Sequence, residues 1–211
     1  MLGLLSDKIR EHIIKNPVIY ILLTIFFSLG VIGGAYIYNQ YSKEEITLLY
    51  EFFERAREMY AVSDVNSTLL FKNAFISSFK YLLLVWISGF TVIGIPVIFF
   101  VMVKKGFIFG LITNFLLTNF KYGMVLSIVI MFLETVILVP VLMVVATYGI
   151  SLSKTLFNVV SGRIKYKLDL KSYMLFYFLV FMVSLLMIVI YSLLEGYFTA
   201  NLLKWLLPKL T

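Results

Sequence analysis

Long apolar runs alternate with short polar segments along the chain, and the runs are long enough to cross a membrane. A helix rises about 1.5 Å per residue, so about 20 apolar residues span a hydrocarbon core of about 30 Å. The predicted spans are 18–38, 80–103, 106–120, 123–150 and 172–194. The third span is short and would need a thinned bilayer or residues borrowed from the neighbouring loop. The pattern therefore predicts an all-α, polytopic integral membrane protein with five transmembrane helices in a single domain over residues 1–211.

Three further segments place apolar residues at helical spacing on one face and polar residues on the other. Residues 1–17 predict an interfacial helix, with a solvated tail as the alternative. The large polar segment 39–79 contains an amphipathic helix at 44–60, which could lie on the bilayer, cap the bundle or dock a partner. Residues 197–211 predict an interfacial tail rather than a sixth crossing. The segment 151–171 predicts a basic loop between the fourth and fifth spans.

Glycines and prolines interrupt several of the spans. Small residues spaced four apart let helix backbones approach closely in a membrane, and a proline inside a helix frees a carbonyl and bends it. The residues predicted to pack or bend helices are Gly30, Gly34, Gly94, Pro96, Gly106, Gly110 and Pro140. The glycine-rich faces are also predicted to support a homo-oligomer.

Composition supports a membrane protein, because 62% of the residues are hydrophobic and only 14% are charged. The net charge of +7 comes from basic residues that flank apolar spans, so we expect contact with lipid and no nucleic acid. Ten basic residues in short loops on one side oppose three on the other, which predicts an N-in, C-out orientation in a bacterial inner membrane. In this prediction Lys104 and Lys105 form a cytoplasmic turn.

The sequence offers little for catalysis or metal binding. It has no cysteine and one histidine, and it lacks G-x-S-x-G, H-E-x-x-H and Walker motifs. We therefore expect no enzyme activity, no cofactor and no metal site. Glu134 is the only acid inside a predicted span. It is either a structural carboxyl bonded to Asn114, Thr113 or a tyrosine, or part of a proton or substrate relay.

Two groups of motifs resemble a known family. The first group is Leu83-x-x-Trp86-x-x-Gly89, Val92-Ile93-Gly94-Ile95-Pro96 and Lys105-Gly106-Phe107-x-x-Gly110; the second is Ile137–Pro140 followed by Gly149-Ile150-Ser151-Leu152-Ser153. They resemble the signature of the stage II sporulation protein M family. The chain length, the five spans and the N-in orientation are similar to that family as well.

The resemblance implies a non-enzymatic membrane scaffold of endospore formation in the mother-cell septal membrane. Such a scaffold would recruit or anchor the peptidoglycan hydrolases called stage II sporulation proteins P and D during engulfment. These hydrolases work outside the cytoplasm, so the contact is expected on the outer face, with Phe52, Phe53 and Tyr60 as aromatic anchors. The alternative is a transporter-type permease subunit that uses the intramembrane carboxylate of Glu134.

Overall fold

The computed structural model describes residues 14, 16–61, 67–161, 170–199 and 201, and every regular element in these ranges is helical. Seven α-helices follow one another: α1 (Pro17–Tyr38), α2 (Lys43–Ala61), α3 (Ser67–Ser88), α4 (Gly94–Asn119), α5 (Gly123–Leu133), α6 (Val139–Val160) and α7 (Leu170–Leu193). A π-helical segment, Glu134–Leu138, joins α5 to α6, and a second, Leu194–Thr199, follows α7.

Among the described residues, five helical stretches are long and apolar enough to cross a membrane, which confirms the predicted class and number of spans. They are Pro17–Tyr38, Ser67–Ser88, Gly94–Asn119, Gly123–Val160 and Lys171–Thr199. The last two extend beyond the predicted ends at 150 and 194. The predicted helix 1–17 lies almost entirely outside the described residues, as do 162–169 of the basic loop and the tail after residue 201.

The predicted boundary between the second and third spans, between 80–103 and 106–120, is wrong. Helix α4 runs without interruption through Lys104 and Lys105, and the chain reverses instead in a turn over residues 89–93. The second span accordingly begins at Ser67 rather than at residue 80.

The turn over residues 89–93 has a local cause. The Gly89 N–H donates to the carbonyls of both Val85 and Trp86, so α3 loses its regular hydrogen-bonding pattern there. Gly94 starts α4, and Pro96 lies in the first turn of that helix, where a missing N–H costs nothing. Pro96 is therefore part of a helix start and does not break a span in the middle.

Helices α1 and α4 pack backbone against backbone through four glycines. The glycines at this contact are Gly30, Gly34, Gly106 and Gly110. A Cβ atom on Gly34 would overlap the carbonyl oxygen of Phe107, and one on Gly110 would overlap that of Val31. These glycines lie where the four-residue spacing predicts a close helix contact. Because they are occupied within one chain, the same faces are not available to join a second copy.

Side chains of α6 and α7 hold the turn between α3 and α4. The buried hydroxyl of Tyr177 donates to the carbonyl of Trp86 over 3.1 Å, and the hydroxyl of Ser153 donates to the carbonyl of Thr91 over 2.7 Å. Gly149 packs directly against Gly89. The fold thus brings together the two groups of motifs that carry the family resemblance.

Helix α2 lies across the bundle end where α4 meets α5. Its start is capped by Ser42, whose N–H and hydroxyl donate to the Glu45 carboxylate over 2.8 and 3.0 Å. Both bonds lower the pKa of the Glu45 carboxyl below its ordinary value, and the bond from the Ser42 backbone N–H has the larger effect. On the inner side the ring of Phe53 lies 4.8 Å from that of Phe120 and 5.9 Å from that of Phe115. The inner face of this helix therefore packs on the end of the bundle.

Candidate functional site

The first candidate site is an ion pair inside the helical bundle. The ammonium group of Lys105, in the middle of α4, lies 2.5 Å from a carboxylate oxygen of Glu134. Their side chains are only 11% and 25% exposed. The ring of Tyr81 on α3 lies 4.6 Å from the same ammonium group and adds a cation–π contact. An isolated charge at mid-membrane costs about 3 kcal/mol, and in this pair each charge offsets part of that cost for the other.

This pairing corrects both sequence-based assignments of the two residues. Lys105 does not lie in a cytoplasmic turn, and Glu134 pairs with a lysine rather than with Asn114 or Thr113. The Asn114 amide instead donates to the Ala35 carbonyl over 2.9 Å, which ties α4 to α1. The Thr113 hydroxyl donates to the sulfur of Met131 over 3.0 Å and ties α4 to α5.

Glu134 begins the π-helical segment Glu134–Leu138, and Pro140 explains why the helix widens there. Pro140 has no N–H to donate to the carbonyl of Val136, so the regular bond is lost where sequence analysis expects a kink. The Val139 N–H donates instead to the Glu134 carbonyl, five residues back. Such π-helical insertions occur often at functional sites.

A second acid, Glu195, interacts electrostatically with Glu134 of this ion pair. It belongs to the π-helical segment Leu194–Thr199, where the Thr199 hydroxyl donates to its carboxylate over 3.4 Å. Its half-buried carboxylate is within electrostatic range of Glu134. The adjacent Gly196 packs on the backbone of Phe71 in α3 and so fixes the height of Glu195 in the bundle. The site therefore combines one lysine with two acids.

Sequence reasoning missed Lys105 and Glu195 as members of this site. The sequence could have indicated Lys105, because an acid inside a span usually pairs with a base at the same depth. Lys104 and Lys105 are the basic residues with long apolar sequence on both sides. For Glu195 the sequence shows only an acid near the end of an apolar run.

The second candidate site is the outward face of α2, where the three predicted anchors separate. The side chain of Phe52 is 74% exposed, and Leu48, one helical turn earlier, is 63% exposed. Phe53 points the other way, into the contact with Phe115 and Phe120. Tyr60 belongs to α2, but its side chain lies outside the described part of the structure. Among the described side chains of α2, Leu48 and Phe52 are the most exposed apolar ones, and Tyr50 is 42% exposed.

Among the residues that the structure describes, no group of three or more His, Cys, Asp or Glu side chains could hold a metal ion. The described part of the bundle therefore offers its charges as ion pairs and hydrogen-bonding groups.

Comparison with known proteins gives one match. A family model described as Stage II sporulation protein M matches residues 23–200, which include six of the seven helices in full and most of α1. No curated protein matches the chain. No solved structure matches it either.

Proposed function

Because the chain belongs to the Stage II sporulation protein M family, a family of sporulation-related membrane proteins, we propose that it is a non-enzymatic scaffold. It anchors peptidoglycan hydrolases at the septal membrane during engulfment, with stage II sporulation proteins P and D as the partners. The observation that carries this proposal is the exposed apolar face of α2, whose opposite face packs on the bundle through Phe53.

The geometry of α2 suits a protein contact. Leu48 and Phe52 are four residues apart and therefore lie side by side on one helix face. A large exposed aromatic side chain next to an aliphatic one is the kind of group that dominates binding energy at interfaces. Beside them Arg55 and Glu51 form an ion pair of 3.3 Å, which supplies a polar rim. In the N-in orientation this surface faces the compartment in which cell-wall hydrolases work.

The test removes the two exposed side chains and keeps the packing of α2. In the double variant Leu48→Ala/Phe52→Ala we expect co-purification with the hydrolase to fall about thirtyfold, the loss of about 2 kcal/mol typical of an interface anchor. The melting temperature in detergent should change little, because neither side chain supports the bundle. Phe100→Ala is the matched control, since Phe100 is 65% exposed on α4, away from α2.

Capture by the control should equal that of the unmodified chain. Full capture by Leu48→Ala/Phe52→Ala would remove the outward face of α2 from the contact. A loss of capture in both variants would show that general damage, rather than this surface, is responsible.

A transporter-type permease subunit is the second candidate, and the charged site in the bundle is the observation that favours it. A proton or substrate relay needs titratable groups inside the membrane, and Lys105, Glu134 and Glu195 supply them. The two functions separate in proteoliposomes under a proton gradient. Proton flux that the variant Glu134→Gln abolishes supports the permease, whereas the scaffold requires no such flux.

A further inference from the structure

An open groove with polar and apolar lining lies on the outside of the bundle, between α3 and α4. Its volume is about 410 Å³; Ile76 and Leu84 form the apolar part of the lining, and the polar part comes from Asn73, Ser77, Lys80, Tyr81 and Lys104. All of these side chains except that of Tyr81 are exposed. Helix α3 thus turns a polar stripe away from its own bundle, where a transmembrane helix ordinarily presents apolar side chains to lipid.

The two lysines of this groove lie deep in the membrane. At about 1.5 Å per residue, Lys80 is about 12 Å from the nearer end of α3, and Lys104 is about 15 Å from the nearer end of α4. A lysine near a helix end can reach the interface with its long side chain, but this depth is close to mid-membrane.

The lysines carry charge that the described chain does not neutralise. Lys105 has Glu134 as its partner, whereas no carboxylate among the described residues pairs with Lys80 or Lys104. The Lys104 ammonium group lies 5.8 Å from the centre of the Tyr81 ring, a weak contact for a full charge. With each exposed cation costing about 3 kcal/mol in lipid, the groove favours an anionic occupant.

Depth and charge select among the possible occupants. Lipid phosphates lie at the two ends of the bundle, more than a helical turn from either ammonium group. A second copy offers Glu134, already paired, and the half-buried Glu195 as its described intramembrane acids. A twofold contact through this groove would also set lysine against lysine. A transmembrane helix from another protein, with an acid at mid-depth, meets both conditions, because its carboxylate has the depth of the two lysines and the opposite charge.

We propose that the groove between α3 and α4 binds a transmembrane helix of a partner protein that carries an aspartate or glutamate at mid-membrane depth. The carboxylate lies between Lys80 and Lys104, and the partner helix runs along α3, where Asn73 and Ser77 offer hydrogen bonds. This surface lies within the membrane and is separate from the outward face of α2, so the inference goes beyond the scaffold contact proposed above.

The test uses a synthetic single-span polyleucine helix with one central glutamate as the probe. The purified full-length chain and the labelled helix are reconstituted in phosphatidylcholine vesicles at neutral pH, and association is measured by energy transfer. We expect the glutamate helix to bind at least tenfold more tightly than the same helix with glutamine at that position. Equal binding of the two helices would overturn the proposal without any variant of the chain.

Variants of the chain locate the contact. Lys80→Leu/Lys104→Leu should abolish the preference for glutamate, whereas Lys80→Arg/Lys104→Arg should keep it, because the charge remains. Lys72→Leu is the matched control, since Lys72 is an exposed lysine on α3 that does not line the groove. An undiminished preference in the double leucine variant would overturn the proposal.

Two further measurements test the competing occupants, which are a second copy of the chain and a lipid. The chain contains no cysteine, so Ser77→Cys introduces a single thiol at the groove. Disulfide-linked dimers through this thiol would identify a second copy as the occupant and overturn the proposal. Phosphatidylglycerol that displaces the glutamate helix and stays bound through purification, but not in the double leucine variant, would identify a lipid and overturn it as well.

Discussion

At the residue scale, the central feature is the buried ion pair of Lys105 and Glu134, in which each charge offsets the desolvation cost of the other. Lys105 and Glu134 are 29 residues apart in sequence and meet between α4 and the first π-helical segment. Removing one member of a buried pair leaves the other uncompensated, which costs more than removing both. The pair is therefore expected to specify how α4 sits against the α5–α6 stretch.

We predict that Lys105→Leu and Glu134→Leu each lower the free energy of unfolding by about 3 kcal/mol, because each leaves a lone charge in the bundle. The double variant should recover most of this loss, and unfolding in mixed micelles measures all three. Lys104→Leu, a change at the adjacent exposed lysine, should not lower the free energy of unfolding, because it removes a charge and leaves no partner unpaired. Additive single losses in the double variant would show that the two charges are not coupled.

At the element scale, the contact between α1 and α4 depends on the absence of side chains. In lipid there is no hydrophobic gain from bringing two apolar helices together, so association relies on close packing and on hydrogen bonds. The four glycines allow that closeness, and the amide of Asn114 adds bonds to the Ala35 carbonyl and to the Asn39 side chain. The pair of helices forms the most intimate contact in the bundle.

Gly33 and Gly34 provide a matched test of this contact. A Cβ on Gly34 would overlap the backbone of Phe107, so Gly34→Ala should separate the helices and cost about 1–3 kcal/mol. A Cβ on Gly33 would lie 3.9 Å from the ring of Phe107, so Gly33→Ala should be neutral or stabilise α1 by up to about 1 kcal/mol. Thermal unfolding in detergent distinguishes them. Equal effects would mean that α1 and α4 do not touch through Gly34.

At the scale of the whole molecule, moving one boundary leaves the predicted orientation intact. The turn over residues 89–93 replaces the predicted turn at Lys104–Gly106, and both join the same two spans. Lys104, Lys105 and also Lys154, which lies in α6, leave the loop count, so seven basic residues remain on the cytoplasmic side against three outside. The positive-inside bias therefore still favours N-in, C-out.

Single cysteines test this topology, because the unmodified chain has none and gives no background. With a membrane-impermeant maleimide we expect Ile93→Cys and Ser161→Cys to react only from the cytoplasmic side. Tyr122→Cys and Ser42→Cys should react only from outside, since an odd number of crossings separates each from the first pair. Reaction of Ile93→Cys and Tyr122→Cys from the same side would contradict a crossing by α4.

Much of the fold could be predicted because the relevant information is local. An uncharged run of about 20 residues must form a helix in lipid, whatever surrounds it, since its backbone groups have no other partners. The same holds for the spacing of Gly30, Gly34, Gly106 and Gly110, which marks helix faces able to approach closely. Class, number of spans and these packing faces thus follow from short stretches of sequence.

The tertiary structure decided what depends on distant residues. Whether Lys105 lies in a loop or inside a helix depends on Glu134, because a lysine with an acid at the same depth can stay inside the membrane. Which of Phe52 and Phe53 faces outward depends on how α2 docks on Phe115 and Phe120. The cost of a charge and the exposure of a ring are set by neighbours in space, so spacing along the chain alone did not determine them.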